Sequence, residues 1–130
     1  MPDIIRATTV IGLTYKGKTV TPEQATIMVK GKKLAYVIDT RFCQNAIKLA
    51  EDADLLLCEA TFADALQDKA EEYKHMTAQQ AGQLAKRAGA KRLVLTHFSQ
   101  RYKDVAELEH EAKKEFPQAS VANDFTVVDV

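Results

Sequence analysis

Three short apolar runs constrain this chain more than any other feature, because each ends on a residue able to do chemistry. Leu34-Ala35-Tyr36-Val37-Ile38 leads into Asp39, Asp54-Leu55-Leu56-Leu57-Cys58 into Glu59, and Arg92-Leu93-Val94-Leu95-Thr96 into His97. Between them lie stretches with helical patterning. Strands alternating with helices place their carboxyl ends along one sheet edge, where α/β proteins put their sites. Two acids and a histidine on one edge are groups that hold a metal or move a proton.

The rest of the chain fits that grammar. Thr77-Ala78-Gln79-Gln80 has capping-box spacing and predicts a helix running to Ala88, with Gly89 as its stop. Asn45 to Ala53 predicts a short helix with Ala46, Ile47, Leu49 and Ala50 on one side, and Asp104 starts another that ends before Pro117. Ahead of Leu34 the connections are too short for helical crossovers, so residues 1–33 read as mainly antiparallel strands. These are Ile4-Ile5, Thr8 to Leu13, Thr19-Val20-Thr21 and Ala25 to Lys30. Ser120 to Ala122 and Phe125 to Val130 read as closing strands. At 130 residues the chain is expected to be one domain, 1–33 antiparallel and 34–130 alternating. The alternating strands are apolar at consecutive positions, as in sheets covered on both faces. Two or three helices cover only one face, so the other predicts a second layer from a partner half or a second copy.

Charge and length exclude several classes. The 18 basic and 18 acidic side chains cancel, so no overall field draws the chain to nucleic acid or an anionic membrane. No run approaches the roughly 18 apolar residues of a membrane span, and Met1-Pro2-Asp3 opens no signal-peptide pattern. With only Cys43 and Cys58, the expected compartment is reducing, the cytoplasm.

Taken singly, the reactive residues have plain structural readings. Asp39 suits a turn or a helix cap, Glu59 a structural hydrogen bond, and His97 a satisfied core position. His75 suits a loop ahead of the Thr77 cap, His110 a solvated helix face, and Cys58 a small buried apolar group. Asp39 and His97 suit a metal, but zinc takes three or four protein ligands, so they make no self-contained site. Lys86, Arg87, Lys91, Arg92, Arg101 and Lys103 read mostly as helix-end cations. Arg101 and Tyr102 lie close enough to His97 to meet a phosphate or a base.

In order and spacing, Ile38-Asp39-Thr40-Arg41, Cys58-Glu59-Ala60-Thr61-Phe62, Lys74-His75-Met76-Thr77 and Thr96-His97-Phe98-Ser99-Gln100-Arg101-Tyr102 resemble the carboxyl-terminal half of ribonuclease Z. That family comprises the tRNA 3′-processing endoribonucleases of the metallo-β-lactamase superfamily. The resemblance runs from about Leu34 to the C-terminus. It implies an α/β fold, half of an αββα sandwich, with one mixed sheet covered on one face by two or three helices. It implies Asp39 and His97 as ligands of a two-zinc centre, and Glu59 orienting His75, which protonates the leaving oxygen. It places Ser99, Arg101 and Tyr102 beside the RNA 3′ end, with precursor tRNA as substrate. Ile38 departs from the family's Gly, Cys58 from its His, and Lys74-His75-Met76 from Gly-His-Ser. No His-x-His-x-Asp-His motif, the family's main source of zinc ligands, occurs among the 130 residues. The chain is therefore expected to need an amino-terminal half-domain or a second copy as a homodimer, and to be weakly active or inactive alone. Two alternatives remain: a non-catalytic interaction or dimerisation module on the same fold, and another superfamily phosphodiester hydrolase.

Overall fold

The structure, a computed structural model, describes residues 12–130, so the extended segments expected at Ile4-Ile5 and Thr8 to Ile11 lie outside the described residues. The chain divides into two compact units, with the boundary at Gly31/Lys32. In the first, β1 (Leu13–Tyr15) and β2 (Lys18–Val20) form an antiparallel hairpin with Leu13 opposite Val20. Lys16 and Gly17 at its turn both have positive φ. The single-turn helix α1 (Pro22–Ala25) follows, with Pro at its amino end, where a missing N–H costs nothing. The strand expected over Ala25 to Lys30 does not form. Ala25 ends α1, and Ile27, Met28 and Val29 are highly exposed. An apolar, β-branched run becomes a strand only where another strand pairs with it.

In the second unit, β3 (Leu34–Val37), β4 (Leu55–Glu59), β5 (Leu93–Thr96) and β6 (Ala119–Val121) form one sheet in the order β3-β4-β5-β6. Each neighbouring pair in this sheet is parallel, and among the described residues antiparallel pairing occurs in the β1–β2 hairpin. Between the strands lie α2 (Gln44–Ala50), α3 (Gln67–Tyr73) after a short 3₁₀ turn (Asp64–Leu66), α4 (Ala78–Ala88) and α5 (Ala106–Glu115). The strand order never reverses. Crossovers of one hand therefore set successive helices on the same face.

Register and burial bear this out. Ala35, Leu56, Leu93 and Ala119 lie in one cross-strand row, Val37, Cys58 and Leu95 in the next. All seven belong to the core with Ala46 and Ala50 of α2, Leu84 and Ala85 of α4, and Leu108 and Ala112 of α5. On the opposite face Leu55 and Val94 are buried and Leu57 half-buried. Leu34 and Tyr36, on the edge strand β3, are 55% and 62% exposed.

The expected caps form. Thr77 accepts the Gln80 N–H, Gln80 Oε1 accepts the Thr77 N–H, and Gly89 closes α4 in the left-handed region at φ 66°. At α5 the Asp104 carboxylate accepts the Ala106 N–H, and the helix stops at Glu115, ahead of Pro117. Beyond β6 no strand forms over Phe125 to Val130; Phe125 has φ 66° and, like Val127, is almost fully exposed. Of the basic side chains around the Gly89 turn, Lys91 pairs with Asp54 at 2.6 Å, Arg92 donates to the Asp129 carbonyl, and Arg87 stacks on Phe42. These are structural roles.

Asp54 links the starts of the strands. Its carboxylate accepts the Lys91 ammonium and, at 2.8 Å, the Lys33 N–H, which together hold its pKa at about 2. A carboxylate lowered in the native state adds stability above its ordinary range near about 4, which is lost as pH falls through the native value. The urea midpoint of the chain should therefore exceed that of Asp54→Asn at pH 7, with the gap closing as pH drops below about 4 toward 2. A gap that is constant across this range would remove the electrostatic cause.

Candidate active site

Glu59 ends β4 fully buried, and four donors converge on its carboxylate. Oε1 accepts the Thr40 N–H; Oε2 accepts the Thr61 hydroxyl at 2.6 Å, the Met76 N–H at 3.0 Å and His75 Nδ1 at 3.1 Å. A carboxylate can be buried at tolerable cost only when its lone pairs are filled in this way. Residues 60–62 run beside 76–78, with Phe62 N–H donating to the Met76 carbonyl and Ala78 N–H to the Phe62 carbonyl. That pairing, together with the left-handed Lys74 at φ 64° closing α3, delivers His75 to Glu59.

His97 follows β5 directly in the left-handed region at φ 57°, and Asp39 lies just past β3 at φ 58°. Asp and His tolerate this conformation better than most residues, yet it costs about 1–3 kcal/mol at a non-glycine position. Both residues follow parallel strands at their carboxyl ends, on one sheet edge. The His75 and His97 rings lie with centroids 5.4 Å apart, and Thr61 Oγ1 is 3.0 Å from His97 Nδ1. Glu59, His75 and His97 each offer a donor atom within 4.8 Å of the others. Glu59 is nevertheless a poor ligand, because its four partners already occupy it; its role here is to hold His75. Asp39 reaches His75 Nδ1 at 3.6 Å from an exposed position and does not join the three-residue cluster.

The donors left for a cation are the Nε2 edges of two imidazoles and the exposed Asp39 carboxylate. Among the described residues, hydrogen bonds to both rings are made at Nδ1. Nitrogen plus carboxylate oxygen is a donor set that suits zinc, and it fits part of a metal centre rather than a closed one.

The loop after His97 is tied down on the same side. Ser99 N–H donates to the Thr61 carbonyl, and Arg101 Nε donates to Ser99 Oγ at 3.1 Å. The Arg101 guanidinium stacks over Phe62 at 5.1 Å, and Phe62 meets the His75 ring edge-on. The Tyr102 hydroxyl accepts the Ala63 N–H at 2.7 Å, and its half-buried ring packs against the core. His110 is exposed on α5, as expected. Thr61 and Phe62 were not singled out from the sequence. Thr61 lies two residues beyond Glu59, and strand periodicity was the one signal that could have placed its side chain beside the carboxylate.

Cys58 faces away from this site into the helix-side core. Burial, with the Glu59 charge beside it, pushes its thiol well above the usual range, whereas Cys43 is half-buried. The thiolate is the reactive form. A maleimide should therefore label Cys43 of the folded chain and spare Cys58 until denaturant is added. Equal labelling in the native state would contradict the burial.

The fold and this edge define a class, which the sequence comparisons supply. The pattern of the β-lactamase superfamily domain matches residues 3–98, and the chain belongs to that family. It is similar to ribonuclease Z of Protochlamydia amoebophila, 44% identical over 112 residues, which covers 86% of this chain and 37% of that protein. Among solved structures it is similar to the short form of human tRNase Z, with a TM-score of 0.60 and 40% identity over 76% of this chain and 33% of the other. It is also similar to the metallo-β-lactamase-fold protein YhfI of Bacillus subtilis, with a TM-score of 0.62 and 32% identity over 68% and 36%. The chain thus spans a little over a third of the curated relative's length.

Proposed function

We propose that this chain is the carboxyl-terminal portion of a zinc-dependent phosphodiesterase of the ribonuclease Z kind, removing the 3′ trailer of precursor tRNA in the cytoplasm. The observation that carries the reading is the buried Glu59 holding His75 at 3.1 Å, with His97 one ring away. Glu59 accepts from Nδ1, so the proton delivered to a leaving oxygen comes from Nε2 of His75, the edge turned from the carboxylate. His97 and Asp39 are the ligands this chain contributes to zinc. When bound, the metal supplies an activated water and neutralises charge on the phosphate. The stacked Arg101 orients a phosphate beside His75, Ser99 fixes that guanidinium, and Tyr102 anchors the loop next to the RNA 3′ end. The two free cysteines support a reducing compartment.

The remaining ligands come from a His-x-His-x-Asp-His segment outside these 130 residues. Cleavage of precursor tRNA by the chain alone should be weak or absent. It should appear on adding the amino-terminal part of a ribonuclease Z, and vanish with His75→Ala. Robust zinc-dependent cleavage by the purified chain alone would overturn the dependence on a second half.

A second reading is favoured by the apolar, exposed Leu34 and Tyr36 on β3, the edge strand among the described residues. These suit a non-catalytic homodimer in which another copy covers the sheet. Light scattering separates the two, since a well-behaved monomer removes the homodimer.

A further inference from the structure

We propose that Thr61 is a positioning residue that sets the tautomer of His97, leaving its Nε2 as the unprotonated, ligand-competent nitrogen. The argument turns on a single proton. Thr61 Oγ1 lies 2.6 Å from Glu59 Oε2, 3.0 Å from His97 Nδ1 and 3.0 Å from the His97 carbonyl oxygen. The hydroxyl has one hydrogen for three neighbours. Glu59 takes it, because the contact is the shortest of the three and charge-assisted, and because a bare hydroxyl oxygen at that distance would repel the carboxylate. Oγ1 then faces His97 Nδ1 with a lone pair, and a contact of 3.0 Å between them is attractive only if Nδ1 carries the hydrogen.

The relay His97 Nδ1–H to Thr61 Oγ1–H to Glu59 fixes one ring. The direct bond from His75 Nδ1 to Glu59 fixes the other. One buried carboxylate thereby controls both imidazoles, whose residues are 36 and 16 positions away from their partners in sequence. Outer partners of this kind orient a ligating histidine and raise its basicity. Thr61 is 7% exposed, and its main-chain carbonyl accepts the Ser99 N–H. That bond ties the loop after His97 to residue 61 independently of the side chain, and the hydroxyl decides the tautomer. Its use to a metal rests on the zinc reading above; the tautomer itself does not.

The test is long-range 15N–13C correlation of the imidazoles in the metal-free 130-residue chain, at a pH where both rings are neutral. His97 of the native chain should show the Nδ1–H pattern. Thr61→Val should shift it toward the Nε2–H form that solvated imidazole prefers, while the His75 pattern stays. Thr61→Ser should restore the native pattern. Calorimetric titration with zinc chloride should give affinity for Thr61→Val lower by roughly ten- to a hundredfold, with Thr61→Ser close to native. His97 found as Nε2–H in the native chain, or unchanged in Thr61→Val, overturns the proposal, and the first of these needs no variant to fold. Tautomers as stated without measurable zinc binding by the chain alone would still support the relay, since the remaining ligands lie on the other half; no zinc binding by the chain combined with an amino-terminal half would remove the metal reading instead.

Discussion

Replacing Glu59 with alanine should cost about 3–5 kcal/mol of folding stability, read as a fall in the denaturant midpoint. The magnitude follows from what the carboxylate holds rather than from its size. Its loss strands the Thr40 N–H, the Met76 N–H and the His75 ring N–H around a cavity, while the Thr61 hydroxyl turns to the His97 carbonyl. Each buried donor left unmade costs about 1–3 kcal/mol, and water entering the cavity recovers part of the sum. Glu59→Gln keeps the shape but turns an amide N–H₂ toward N–H groups, so a smaller loss of about 1–3 kcal/mol is expected. Stability within about 1 kcal/mol of native for Glu59→Ala would show that the four contacts are not the anchor described. Against a total of about 5–15 kcal/mol for an ordinary domain, the alanine variant loses a large share of the folding stability.

The second large effect has a sign that helix propensity alone would get wrong. Gly82 lies inside α4, where alanine is intrinsically better by about 1 kcal/mol. A Cβ there would stand 2.6 Å from the Ala112 carbonyl oxygen and 3.0 Å from Glu115 Cβ. The first contact is with backbone, which cannot rotate away, so α4 and α5 must move apart and loosen Leu84, Leu108 and Ala112 in the core. Overpacking of this kind costs about 1–3 kcal/mol and outweighs the propensity gain. Gly82→Ala should lower Tm, while Gly31→Ala, with open space around its Cβ, should not lower it comparably. A rise in Tm for Gly82→Ala would mean the two helices have room to spare.

Where sequence patterns were strong, they located elements closely. Thr77 and Gly89 bracket α4 as expected because caps are local chemistry, complete within a few residues. The 3₁₀ turn and α3, over residues 64–73, were not anticipated. α3 has Ala70 as its one buried residue, so it carries hardly any apolar periodicity. The expected strands at Ala25 to Lys30 and Phe125 to Val130 failed for the converse reason. Both have apolar, β-branched runs, but a strand is a pairing and the pairing lies elsewhere in the chain.

The sequence by itself determined which residues end the strands of the sheet and that strands alternate with helices. It also determined that Asp39, Glu59 and His97 share one edge and that no His-x-His-x-Asp-His motif accompanies them. Short continuous apolar runs and turn chemistry are local signals, so a single sequence contains them. Only the tertiary structure decided what those residues do to one another. Parallel register sets Glu59 beside Thr96, and the adjoining loop contacts then join Thr61 to His97 and Tyr102 to Ala63. That register depends on how three crossovers pack against the sheet, not on any local signal. It turned Glu59 from one more acid at the edge into the buried group that holds both histidines.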